Sequence, residues 1–196
     1  MILIAFGANL PAPDGSPPRE TCLRAVTVIG GIAGLTMTAV SPLYLSAPVP
    51  VSDQPSYING VLRAEGDVDP ALLLAQLLEI EGRFGRRRAG LTAARSLDLD
   101  IIAMGGLVRE APDPILPHPR AHERAFVLRP LADVAPRWRH PVLGRTAAEI
   151  LAALPPQAIE RVPSSDASHD GRGAGNPCVI RRDEVATPFT HLSRGD

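Results

Sequence analysis

The eight residues Arg95 to Ile102, RSLDLDII, constrain the fold more than any other stretch of the chain. Apolar residues and aspartates alternate there. In a strand, residues two apart project to one side, about 6.6 Å apart along the axis. Leu97, Leu99 and Ile101 therefore face one way, into a core, while Asp98 and Asp100 face the other way together. Parallel carboxylates at that spacing repel one another and are stable only when solvated, paired with arginine or bridged by cations. The plain reading of an isolated acid-x-acid is a solvent-facing strand. The functional reading is a pair of oxygen ligands for Mg²⁺, an ion that prefers carboxylates completed by water and substrate phosphates.

The rest of the chain supplies the elements around this strand. ILIAFGAN, residues 2–9, reads as a buried strand running into a turn. Helical spacing over 19–29 ends at GGIAG. LTMTAVSPLYLSAP, 35–48, is a strand broken near Pro42, and YINGVLRAEG, 57–66, is the next strand. DPALLLAQLLEIEGRFG, 69–85, is the clearest helix: Asp69 is placed to cap it, Pro70 suits its first turn and Gly85 follows its end. Short helices are expected over 121–136, ended by Pro136, and over 146–154. Strands and helices mix without a strict βαβ rhythm, which favours an α+β sandwich over a doubly wound parallel sheet. Residues 1–160 form one expected domain, and 161–196, polar and glycine-rich, an expected flexible tail.

Composition narrows the partners. With 45% hydrophobic and 4% aromatic residues, the core is large and aliphatic. A formal charge of −1 makes the whole molecule no binder of polyanions, so any phosphate affinity must come from local clustering. All of the 20 basic residues are arginine, which excludes a catalytic lysine. Cys22 and Cys178 stand in no metal or redox spacing, and a reduced, cytoplasmic setting is expected. The apolar start, MILIAFGANL, is too short for a membrane span or signal peptide.

The clustering exists. Arg86, Arg87, Arg88 and Arg95 precede the two acids, and guanidinium forks match phosphate oxygens in a bidentate way. LPHPRAHERAF, 116–126, adds His118, Arg120 and Arg124. A nucleic-acid patch is the weaker reading, because the chain lacks lysine and has few aromatics for base stacking. Tyr57 and Asn59 share one strand face. A ring beside an amide holds a flat heterocycle well, by stacking and by reading donors and acceptors. Taken alone, Tyr57 is an ordinary core or edge aromatic. Phe126 is a candidate for the opposite wall.

These segments together resemble the 6-hydroxymethyl-7,8-dihydropterin pyrophosphokinases of folate biosynthesis. GANL, SPLYLSAP, DQPSYINGV, LLEIEGRFGRRR, RSLDLDII, LPHPRAHERAFVLRPL and APRWRHP carry the resemblance, in family order, across about residues 1–160. It implies a ferredoxin-like α+β sandwich, mainly antiparallel, acting as a cytoplasmic monomer on two small molecules, with no nucleic-acid or membrane partner. It also implies transfer of pyrophosphate from ATP to the pterin hydroxymethyl group with release of AMP. Asp98 and Asp100 would hold two Mg²⁺ ions, with Arg86 and Arg95 as catalytic cations beside them. Glu81, Arg88, Ile101, His118 and Arg124 would bind ATP. Ser46, Val49 and Asn59 would bind the pterin, sandwiched between Tyr57 and Phe126. The sequence departs from better-known members at Ala93 and Ala94, where those carry a tryptophan, and in a basic loop about one residue shorter. Two alternatives stay open: a pterin- or nucleotide-binding protein of the same fold with weakened catalysis, and another metal-dependent transferase built on the same two acids.

Overall fold

The computed structural model describes residues 1–50, 52–85 and 95–163. In chain order the elements are β1 (Ile2–Ala8), α1 (Pro18–Gly30), β2 (Leu35–Val40), β3 (Tyr44–Ser46), β4 (Tyr57–Gly66), α2 (Pro70–Arg83), β5 (Asp98–Met104), a 3₁₀ turn (Ala121–Glu123), α3 (Ala125–Val134), α4 (Ala147–Leu151) and β6 (Ile159–Arg161). One antiparallel sheet runs β5-β1-β4-β3-β6, with β2 also paired to β4. Because β2 and β3 lie along the same neighbour, they act as one strand interrupted at Pro42. Counted that way, two β-α-β units interlock in the ferredoxin-like order, and the α+β architecture is observed.

The interruption has a local chemical basis. Pro42 has no N–H to give to a ladder. Ser41 compensates: its hydroxyl accepts the Val61 N–H at 3.0 Å, and its own N–H donates to the Val61 carbonyl at 2.9 Å. The helix at 70–83 starts as the sequence requires, with Asp69 Oδ1 accepting from the Ala71 and Leu72 N–H groups at 2.8 and 3.0 Å. After its C-terminus, Gly85 adopts φ 86°, in the left-handed region, and a Cβ there would meet Pro13 Cγ at 2.2 Å.

Strand alternation sends the sheet's residues into two cores. Ile2, Ile4 and Phe6 of β1, Leu62 and Ala64 of β4, and Leu99 and Ile101 of β5 pack beneath α1 and α2. Leu3, Val61 and Ile102 point the other way and pack beneath α3 and α4. Tyr44 Oη donates to Asp133 Oδ2 at 2.6 Å and ties α3 to that second face. Burying the leucine, isoleucine, valine and phenylalanine side chains among these contributes about 1.5–3 kcal/mol each relative to exposure.

The chain end differs from expectation. Arg161 pairs with Tyr44 and Ile159 with Ser46, while the Val162 N–H donates to the Leu43 carbonyl at 2.8 Å. The boundary expected after residue 160 thus falls inside β6, and the sheet holds the chain as far as Val162. Residues 164–196 lie outside the described ones. Among the described residues, no helix is long and apolar enough to cross a membrane.

Candidate active site

On the second face, α3 and α4 cover only part of the sheet. Past their cover, β1, β4 and β5 carry Gly7, Tyr57, Asn59, Asp98 and Asp100 instead of aliphatic residues. The register sets these side by side: Gly7 pairs with Asn59 on one side and Asp98 on the other, and Ala5 pairs with Asp100. The result is a cavity of about 500 Å³, within the usual range for small-molecule sites. The sheet is its floor. Its walls are residues 46–50 with Ser52, Gln54 and Tyr57 on one side, and residues 118–120 with Arg124, Phe126 and Val127 on the other.

The heterocycle end is built around an amide. Asn59 is buried, and its Nδ2 donates to Ser46 Oγ at 2.9 Å. Its Oδ1 hangs over β1, where a Cβ on Gly7 would come within 2.8 Å of it. A side chain at position 7 would therefore displace the amide, and a glycine inside a strand marks this close approach. Tyr57 Oη donates to Gln54 Oε1 at 3.0 Å, which fixes the ring at the cavity wall. Phe126 lines the cavity from α3, with the Arg124 guanidinium 5.5 Å from its ring centroid.

The acid end shows how the charges are held. Asp98 is half-buried and ion-paired with Arg95. Burial pushes the Asp100 carboxyl above the usual range, and the neighbouring Asp98 pushes it further. The strand is bulged here: Leu3 pairs with Ala103 but Ile4 with Ile101, so Ile102 is an extra residue. Its carbonyl accepts the His118 N–H at 2.8 Å, which brings the imidazole beside Asp100. Bulges often re-aim groups in this way next to sites. His118 Nδ1 accepts from the Arg120 N–H at 3.1 Å, so the ring proton sits on Nε2, 3.9 Å from Asp100 Oδ2. Burial holds the His118 pKa down, so the ring is a neutral donor directed toward the acids.

Residues 3–136 match the family described as 7,8-dihydro-6-hydroxymethylpterin-pyrophosphokinase (HPPK). The chain belongs to this family. It is 40% identical over 164 residues to the 2-amino-4-hydroxy-6-hydroxymethyldihydropteridine pyrophosphokinase of Pseudomonas aeruginosa, covering 84% of this chain and 98% of that one. The enzyme of the same description from Synechocystis is 34% identical over 149 residues, covering 76% and 73%. The folic acid synthesis protein fol1 of Schizosaccharomyces pombe is 35% identical over 163 residues, where the chain spans 22% of that longer protein. Among solved structures, an HPPK-DHPS in complex with substrates superposes with a TM-score of 0.54 at 12% identity, over 78% of this chain and 44% of that one. This last likeness concerns the fold alone.

Against that background the fold gathers Ser46, Val49, Tyr57, Asn59, Arg95, Asp98, Asp100, His118, Arg124 and Phe126 around one cavity. Two other expected residues sit elsewhere. Ile101 is 3% exposed and packs into the first core. Glu81 is fully buried on α2, where Oε1 accepts the Leu99 N–H of β5 at 2.7 Å. Arg86 and Arg88 lie outside the described residues. Sequence reasoning passed over Gln54 and Gly7. Gln54 stands among prolines with no periodicity to mark it. Gly7 did carry a signal, a lone glycine interrupting an aliphatic strand.

Proposed function

We propose that the chain transfers the pyrophosphoryl group of ATP to the hydroxymethyl group of 6-hydroxymethyl-7,8-dihydropterin, releasing AMP. The observation that carries this reading is the polarity of one cavity: a ring-and-amide grip at Tyr57, Asn59 and Phe126 meets a charged end at Arg95, Asp98, Asp100, His118 and Arg124. Family membership over residues 3–136 supports it.

Asp98 and Asp100 suit Mg²⁺. Their oxygens share one face, ionisation of Asp100 is resisted by burial and by its neighbour, and a cation relieves both. When bound, the ions neutralise triphosphate charge and orient the chain of phosphates. Among the described residues no cluster of three or more His, Cys, Asp and Glu exists, which fits ions completed by substrate and water rather than a closed protein cage.

In the transfer, the pterin hydroxyl oxygen bonds to the β-phosphorus of ATP, and the bond from that phosphorus to the α,β-bridging oxygen breaks. AMP leaves with the bridging oxygen, and the hydroxyl proton passes to solvent. The protein's part is placement and charge stabilisation. Tyr57, Phe126 and Asn59 hold the ring, while Ser46 fixes the Asn59 amide. Arg95 and Arg124 face the phosphoryl oxygens, and His118 offers Nε2–H to one of them. Arg86 and Arg88 supply further cations to the phosphates. The proposed working unit is the monomer.

Incubation with the pterin, ATP and Mg²⁺, followed by mass analysis, tests this. AMP and pterin diphosphate should accumulate in equal amounts. Pterin binding without AMP, or release of ADP in its place, overturns the reading.

A further inference from the structure

We propose that Asn9 is a positioning residue that holds the phosphate end and the heterocycle end of the cavity in register, an inference that rests on the reaction proposed above. Asn9 follows β1 and is 3% exposed, yet it does not line the cavity. Its backbone N–H donates to the Arg95 carbonyl at 3.1 Å, and its Oδ1 accepts the Arg95 N–H at 2.9 Å. One backbone bond and one side-chain bond thus tie the chain after β1 to the chain before β5 and set the backbone from which the Arg95 side chain reaches Asp98. On the other side, Asn9 Nδ2 donates to Gln54 Oε1 at 3.2 Å and to the Pro55 carbonyl at 3.3 Å. Gln54 Oε1 in turn accepts from Tyr57 Oη. One amide therefore joins the backbone of Arg95 to the ring of Tyr57 through a single intermediary.

The chemistry requires an amide. The Arg95 N–H only donates and the Pro55 carbonyl only accepts, so the side chain needs an acceptor on one side and a donor on the other. Asparagine supplies both at this length. Aspartate keeps the acceptor for Arg95 but turns a second acceptor against the Pro55 carbonyl and forces the Gln54 amide to turn over. Alanine loses both halves. A buried amide is costly unless its bonds are made, and here each of its two polar atoms is engaged across a sequence separation of 45 to 86 residues.

The substitutions separate positioning from simple stitching. Asn9→Asp should raise the KM and calorimetric Kd for the pterin about tenfold, the size of losing one or two hydrogen bonds, while kcat stays within about threefold. Asn9→Ala should raise both in the same way and also lower kcat about tenfold. If both variants melt earlier yet keep pterin KM, Kd and kcat in the folded fraction, the residue is structural only and the proposal fails. If Asn9→Ala does not fold, Asn9→Asp decides alone, since unmoved pterin affinity overturns the proposal. Absence of AMP from the unaltered chain defeats the proposed reaction instead, and the calorimetric arm still reports on Asn9.

Discussion

Beneath α1 and α2, strands β1, β4 and β5 present Ile4, Phe6, Leu62, Leu99 and Ile101 in an unbroken apolar layer. On their opposite face the same strands present Leu3, Val61 and Ile102 beneath α3 and α4, and then Gly7, Asn59, Asp98 and Asp100 beyond them. Both faces obey the same alternation. They differ in helix cover, and residue chemistry changes where that cover stops. A strand can thus serve a core and a site at once, because its two sides answer to different neighbours. The comparison also separates two kinds of damage: injury to the covered face should act on stability, and injury beyond α3 on substrate binding or turnover.

Asp98→Ala and Asp100→Ala offer the hardest test of that separation. Each should cut kcat by about 10²–10³, the scale of losing one strong electrostatic stabiliser, with the unfolding midpoint little changed. Near-normal turnover at saturating Mg²⁺ would erase the distinction between the faces. Gly7→Ala comes next. The new methyl meets Asn59 Oδ1, so pterin KM should rise about tenfold with a smaller effect on kcat, as steady-state assays varying each substrate would show. Smallest is Ile29→Val in α1, at a residue 1% exposed on the covered side. It should cost about 0.5–1.5 kcal/mol in denaturant unfolding and leave pterin KM where it was. A shift in KM there would mean that the first core reaches the cavity.

The covered face was the legible one. Leu97, Leu99 and Ile101 alternate so strictly that β5 and its orientation follow from periodicity, and Asp69, Pro70 and Gly85 bracket α2 by cap chemistry. Spacing put Tyr57 and Asn59 on one strand face, and the resemblance added His118 and Phe126, which spacing alone does not bring to them. What stayed hidden depends on partners distant in sequence. The bulge at Ile102, which seats His118 beside Asp100, leaves no mark in an aliphatic run. The strand Ile159–Arg161 is too short and too polar to show alternation, and exists through its pairing with β3. Gln54 is meaningful only once Tyr57 and Asn9 are seen to converge on it.

Glu81 carries a consequence of another kind. β5 is the outer strand of the sheet, and an outer strand with available N–H groups is a template on which another chain can pair. The Glu81 carboxylate already occupies the Leu99 N–H near the start of that strand. By that bond α2 blunts the rail along which two molecules would zip together, and Glu81→Ala should reopen it, with light scattering growing at high protein concentration. The colloidal behaviour of the molecule thus depends on a side chain buried away from solvent.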